Sequence, residues 1–337
     1  MLKFISLLII ILLTIEGLAQ SEFSYKIMFY NVENLFDTSD DSLKKDDDFL
    51  PEGKYYWNKW KYRNKLNQIY KVVLAIGEWN PPAVVGLCEI ENRKVLHDLT
   101  KNTPLKKFKY KIIHKDSPDE RGIDVGLLYR SELFKPLNVE YIPINFSNEP
   151  ENKTRDILYV KALALKDTLH LFVNHWPSRW GGQLETESRR IYVASVLRAK
   201  IDSIFTVNTC ANIIVTGDFN DYPDNKSVNT ILNANQVFDN IKYDALYNLS
   251  ACLRKRNVGT YKHQGKWGVL DQFIVSGSLL DENNLIFTSL NDVHIFDAEF
   301  LLEPDEKYFG VKPFRTFIGA RYNKGFSDHL PIYLILK

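Results

Sequence analysis

Eight short apolar runs, interrupted in two places by long amphipathic stretches, set the terms for any fold of this chain. Residues 25–30, 83–88, 125–129, 159–165, 170–173, 213–216, 272–275 and 331–336 are four to seven residues long, rich in Val, Ile, Phe and Tyr, and bounded by polar residues or glycine. Such runs predict strands. Between them, Leu66, Ile69, Tyr70, Val73 and Gly77 fall at helical spacing, as do Ile191, Ala194, Leu197, Ile201, Ile204 and Phe205. Each set predicts a helix with one buried stripe. Many strands with two long helices among them point to sheets sandwiched between helical layers. No linker, repeat or low-complexity run breaks the chain from residue 20 to 337, so one domain is expected there.

Stability must come from packing, because the three cysteines, Cys88, Cys210 and Cys252, are scattered and form no CxxC pair. A disulfide scaffold and a zinc ribbon are thereby excluded. Lys and Arg number 43 against 42 Asp and Glu, a net charge of +1, which excludes a basic-tail polyanion binder. At the N-terminus, Lys3, an apolar stretch over residues 4–13 and the small-residue pattern ending at Ala19 form a secretory signal over residues 1–19. That stretch is shorter than the ~20 residues a spanning helix needs, so a secreted or periplasmic protein without a membrane span is expected. Removing Lys3 and Glu16 takes one charge of each sign and leaves 42 against 41. Residues 37–56, with Asp46-Asp47-Asp48 beside Lys44 and Lys45, are expected to be a solvated loop.

Polar residues at the ends of the predicted strands are harder to explain by folding alone. The first strand runs into Asn31-Val32-Glu33-Asn34, which also suits an asparagine-capped turn. The second runs into Glu89-Ile90-Glu91-Asn92, where Asn92 suits the N-cap of a following helix. A carboxylate such as Glu89 at the end of a buried strand is costly unless a cation meets it. Further on come Asn174-His175-Trp176-Pro177, Gly217-Asp218-Phe219-Asn220-Asp221, Leu270-Asp271 and Ser327-Asp328-His329. In α/β architectures ligands gather at strand ends. Together these residues supply what phosphodiester hydrolysis needs: a metal ligand, a general base, an amide for phosphoryl oxygens, and histidines.

In this order the blocks resemble the endonuclease/exonuclease/phosphatase superfamily, and the resemblance spans residues 26–336. It implies a four-layered α/β sandwich, two mostly antiparallel β-sheets packed face to face with helices outside. It further implies Mg²⁺, with Mn²⁺ or Ca²⁺ as alternatives, held by Glu89, Asn31, Glu33 and Asp328. By the same resemblance Asp218 orients or deprotonates the attacking water, and Asn220 holds a phosphoryl oxygen. His329, oriented by Asp271, stabilises the transition state, and His175 matches the further histidine of deoxyribonuclease-like and phosphatase branches. Arg121, Asp124, Arg155 and Arg179 are candidates for substrate binding, although arginines so placed equally suit surface ion pairs. Trp176 and Trp180 suit base stacking or burial.

The first functional expectation is therefore a secreted, monomeric, metal-dependent endonuclease acting on DNA or RNA, with no protein partner. The second is a phosphatase or sphingomyelinase-like phosphodiesterase on small or lipid phosphoesters, which the neutral charge balance accommodates more readily. A non-catalytic binding module is the third, and it gives no reason to keep Glu89, Asp218, Asn220, Asp271, Asp328 and His329 together.

Overall fold

In the computed structural model the described residues are 24–78, 80–255 and 259–337, so the signal expected over residues 1–19 lies outside them. Each long amphipathic stretch carries the chain between two parallel strands. β1 (Tyr25–Leu35) leads through α1 (Lys59–Gly77) to β2 (Val84–Ile90), which pairs parallel to it. A shorter helix, α2 (Arg93–Lys101), follows β2, and Asn92 caps it by accepting from the backbone N–H of Val95. In the same way β7 (Asp167–His175) leads through α3 (Gln183–Val207) to its parallel neighbour β8 (Asn212–Asp218). Parallel neighbours need a crossover of this kind, which is why the two helical stretches fall where they do.

The first sheet has the order β14 (Val293–Ile295), β19 (Ile332–Leu336), β1, β2, β4 (Asp124–Tyr129), β3 (Lys111–His114). The second runs β5 (Phe134–Ile142), β6 (Ile157–Ala164), β7, β8, β13 (Asp271–Ser276), β10 (Leu246–Asn248), β9 (Ala234–Asn235). Apart from the two crossover pairs and the short β9–β10 pair, all neighbours in these sheets are antiparallel. Three hairpins lie outside the sheets: β11 (Tyr261–His263) with β12 (Lys266–Gly268), β15 (Leu302–Pro304) with β16 (Val311–Pro313), and β17 (Phe317–Ile318) with β18 (Arg321–Tyr322).

Strand alternation decides which side chains enter which layer. Ile27 and Phe29 of β1 share the core between the sheets with Leu171 and Val173 of β7. Their neighbours Met28 and Tyr30 pack outward against Leu66, Ile69 and Val73 of α1, while Phe172, Ile213 and Val215 pack against Leu197 and Ile201 of α3. The strands are thus covered on both faces, and each fully buried Leu, Ile or Phe contributes ~1.5–3 kcal/mol. The layers run helix, sheet, sheet, helix. Among the described residues no helix is long and apolar enough to cross a membrane.

Several parts of the molecule differ from the sequence expectation, among them the sheet strands β3, β9, β10 and β14, which are only two to four residues long and fall outside the expected runs. β5 has no place among the expected strands because it is an edge strand, half exposed and interrupted by Pro136, where the ladder register shifts. Residues 37–56 are not simply a solvated loop, since Asp37 and Asp46 are buried. Asp46 accepts from the Asp41 N–H, Phe49 stacks on Phe36 at 4.3 Å, and the loop closes over the fully buried Trp57.

Candidate active site

The topology brings the polar strand ends to one rim. β1 and β2 deliver Asn31 and Glu89, and β7 and β8 deliver the register partners His175 and Asp218. β13, running the other way, begins at the same rim with Asp271 opposite Asp218. The segment leading into β19 adds His329, and Ser327 fixes that segment by donating to the Asn31 carbonyl and accepting from the His329 N–H. β1 and β7 extend beyond their apolar runs to carry these residues, because a ladder continues for as long as its backbone partners do.

Asn31 is the hub. Its Nδ2 donates to Glu89 Oε1 at 3.2 Å and to Asp218 Oδ2 at 3.0 Å, and its Oδ1 accepts from the Glu33 N–H. Glu89 Oε2 accepts from the Asn34 N–H. Asp218 Oδ1 accepts from the Asn220 N–H, and Asp218 Oδ2 lies 3.8 Å from both His175 Nε2 and His329 Nε2. His329 Nδ1 meets Asp271 Oδ2 at 2.7 Å, and the ring of Tyr261 lies 4.9 Å from the His329 ring. Glu33, Asn34, Glu89 and Asn220 all take positive φ, a concentration of unfavourable backbone typical of functional sites. Gly217 is required for a separate reason: a Cβ there would stand 2.3 Å from the Asn174 carbonyl oxygen.

Burial and neighbouring charge sort the protonation states. Burial pushes the Asp218 carboxyl up to about 6, against the pull of His329 and the Asn220 and Asn31 hydrogen bonds. His329 is raised well above an ordinary imidazole: burial opposes its charge, but Asp271 and Asp218 outweigh it. His175 is driven well below, first by burial and then by Arg155, Arg121 and His329. At neutral pH the site therefore holds one carboxylate base, one imidazolium and one neutral imidazole.

A cleft of about 600 Å³ opens over these groups, and its walls include Arg121, Arg179, Trp180, Tyr222, Tyr261 and Asp328. Of the candidate substrate-binding residues, Arg121 and Arg179 line it. Arg121 is half exposed and ion-paired with Asp119, whereas Arg179 donates to the Asn220 carbonyl and lies over the Tyr222 ring. Asp124 and Arg155 do not reach the cleft. Asp124 is buried between His114 Nε2 and the Ser117 N–H. Arg155, also buried, pairs with Asp119 at 2.9 Å and donates to the carbonyls of His175 and Trp176, so it shapes the wall from behind. Trp176 is buried against Phe219, and Trp180 is 90% exposed.

The candidate metal ligands divide. Glu89 stands at the cleft with its carboxylate steered by Asn31 and Asn34, an oxygen donor suited to a hard divalent cation. Glu33 is buried with both oxygens engaged, by Arg315 Nε at 3.3 Å and the Thr316 N–H at 2.6 Å, and Arg315 Nη2 also holds Asp328 Oδ2 at 3.0 Å. Glu91, too, is turned away, capping the Asp37 N–H. Among the described residues, two acid–histidine groups have ligand atoms close together: Asp218, Asp271, His329 and His114, Asp116, Asp124. In each, the histidine hydrogen-bonds one carboxylate, Asp271 at 2.7 Å or Asp124 at 2.9 Å, and turns its other ring nitrogen toward a second carboxylate 3.8 Å away.

Sequence reasoning missed Arg315, Tyr261 and Lys65. Lys65 is fully buried beneath the rim and gives its Nζ to the Thr316 hydroxyl and the Phe326 carbonyl. It lies in phase with Ile69, Val72 and Ile76 on the buried face of α1, a signal the sequence did contain.

A model of the Endonuclease/Exonuclease/phosphatase family matches residues 26–337. No curated protein sequence matches. Among solved structures, humanized TDP2 of D. rerio is 16% identical and superposes with a TM-score of 0.57 over 93% of this chain and 99% of that one. The human Nocturnin catalytic domain is also 16% identical, with a TM-score of 0.54 over 93% and 94%. A mannosyl-6-phosphatase of Bacteroides thetaiotaomicron is 13% identical, with a TM-score of 0.57 over 93% and 100%. Likeness at such identity is likeness of fold.

Proposed function

The chain belongs to the endonuclease/exonuclease/phosphatase family, and we propose that it is a divalent-metal-dependent phosphoester hydrolase acting on phosphodiesters, foremost those of nucleic acid. One observation carries this reading: Asp218 stands 3.8 Å from both His175 and His329, with Asn31 linking it to Glu89 in the same cleft.

In this mechanism Asp218, ionised above about pH 6, accepts the proton of the attacking water. The Asn31 and Asn220 contacts hold its carboxylate in one orientation while that proton moves. His329, kept cationic by Asp271, meets the charge that develops on the phosphoryl oxygens and provides acid–base help worth ~10²–10⁴-fold. His175, uncharged, donates one ring N–H without adding positive charge, and Asn220 offers its amide to a phosphoryl oxygen. A divalent cation, Mg²⁺ by preference, held at Glu89 with Asn31 orienting the carboxylate, supplies neutralisation of phosphoryl charge. No covalent enzyme intermediate is needed. Arg121 meets the substrate phosphate at the rim, and Trp180 offers a stacking face.

The near-neutral charge total, 43 against 42, favours a second reading, a small or lipid phosphoester substrate. A cleft of about 600 Å³ accommodates one. A panel of plasmid DNA, RNA, sphingomyelin and inositol phosphates, each with Mg²⁺, Mn²⁺ or Ca²⁺, separates the readings. On the favoured substrate a salt titration adds a second criterion, since polynucleotide binding falls steeply with salt and small-substrate hydrolysis does not. We also propose that the mature domain, residues 20–337, acts as a monomer after export. N-terminal sequencing that began at Met1 in secreted material would contradict cleavage near Ala19.

A further inference from the structure

We propose that Arg315 is a resident cation that occupies the Glu33–Asp328 carboxylate pair, so that the site takes one divalent ion, at Glu89, and not two. This rests on the metal-dependent reading above and deepens it. The Arg315 fork reaches both acids, with Nε 3.3 Å from Glu33 Oε1 and Nη2 3.0 Å from Asp328 Oδ2. The second Glu33 oxygen accepts from the Thr316 N–H at 2.6 Å. Three of the four oxygens of the pair are therefore committed to one two-residue segment, two of them through the planar geometry for which a guanidinium is suited.

The local geometry explains the direction of Glu33. Where β1 loses register with β2, between Asn31 and Leu35, Glu33 and Asn34 take positive φ. Glu33 then meets Arg315 while Glu89 keeps to the cleft.

Charge balance leads to the same conclusion. Glu33, Asp328, Glu89, Asp218 and Asp271 carry five negative charges against the three positive charges of Arg315, the buried Lys65 and His329. The two surplus negative charges suit a single divalent ion. A second ion would leave a large uncompensated positive charge in a mostly buried region, which is costly. Removing Arg315 frees two carboxylates that the span of one guanidinium now holds together, and adjacent carboxylates are oxygen donors suited to a divalent ion.

The test counts ions bound by the full chain, using Mn²⁺ in equilibrium dialysis and the loss of the free Mn²⁺ resonance, with thermal unfolding of every variant as the folding control. Wild type is expected to bind one Mn²⁺, Arg315→Lys one, Arg315→Gln two, and Glu89→Gln none. Two ions in wild type or in Arg315→Lys, or only one in Arg315→Gln, would overturn the inference. No ion in wild type, or one retained in Glu89→Gln, would instead overturn the metal-dependent reading.

Discussion

Replacing Asp271 with Asn keeps the shape of the His329 contact and removes its charge. The two groups meet at 2.7 Å and both are buried, so solvent screens the pair little. With charge centres ~4 Å apart and an effective dielectric of ~20, the attraction is about 4 kcal/mol. The sign follows from the charge: Asp271 favours the imidazolium, so its loss lowers the His329 pKa. The proposed mechanism needs Asp218 ionised and His329 protonated, which gives a bell with its acid limb near pH 6. In Asp271→Asn the alkaline limb moves to lower pH. The plateau falls ~10²–10⁴-fold, because the bell narrows and the ring loses its fixed tautomer. The assay is kcat/KM for bis-(p-nitrophenyl) phosphate from pH 5 to 10 with saturating Mg²⁺. An unmoved alkaline limb with an unchanged plateau would refute the pairing argument.

Other consequences are independent of that pair. Arg155→Ala leaves the buried Asp119 carboxylate with only the half-exposed Arg121 as its cation and releases the His175 and Trp176 carbonyls, so unfolding in urea should register a loss of up to about 3–5 kcal/mol. Glu91 is raised to about 8, chiefly by burial, and a carboxyl raised on folding costs stability as pH climbs from its unfolded value toward 8. Glu91→Gln should therefore match wild type below about pH 4 and exceed it by up to about 5 kcal/mol above pH 8. A constant difference across pH would contradict the assignment. Trp180→Ala, at a 90% exposed position, should leave the melting temperature in place. Its KM for single-stranded DNA should rise by the ~1–3 kcal/mol of one base stack while bis-(p-nitrophenyl) phosphate kinetics stay unchanged.

The sequence was most readable where burial on both faces makes a strand continuously apolar. The runs that became β1, β2, β7, β8 and β13 were visible for that reason, and their polar ends stood out against them. The polar cluster at the rim was legible because each member sits directly beside such a run. Arg315 was not, since it lies in a loop that returns to Glu33 across 282 residues and carries no periodic signal. β5 was hidden by half-exposure and Pro136. Arg121 and Arg155 looked alike in sequence, and only the shared Asp119 separates the half-exposed arginine from the buried one. The acidic stretch over residues 37–56 resembled solvent-facing charge because nothing local reveals that Asp46 caps a backbone N–H.

The most direct test of the central claim, metal-assisted phosphoester hydrolysis based on Asp218, is the turnover of bis-(p-nitrophenyl) phosphate by wild type and Asp218→Asn with EDTA and then excess Mg²⁺. The expected result is wild-type turnover abolished by EDTA and restored by Mg²⁺, with the variant slower by ~10² or more under every condition while its melting temperature shows it folded. Wild-type turnover that survives EDTA, or a folded Asp218→Asn that matches wild type, would contradict it.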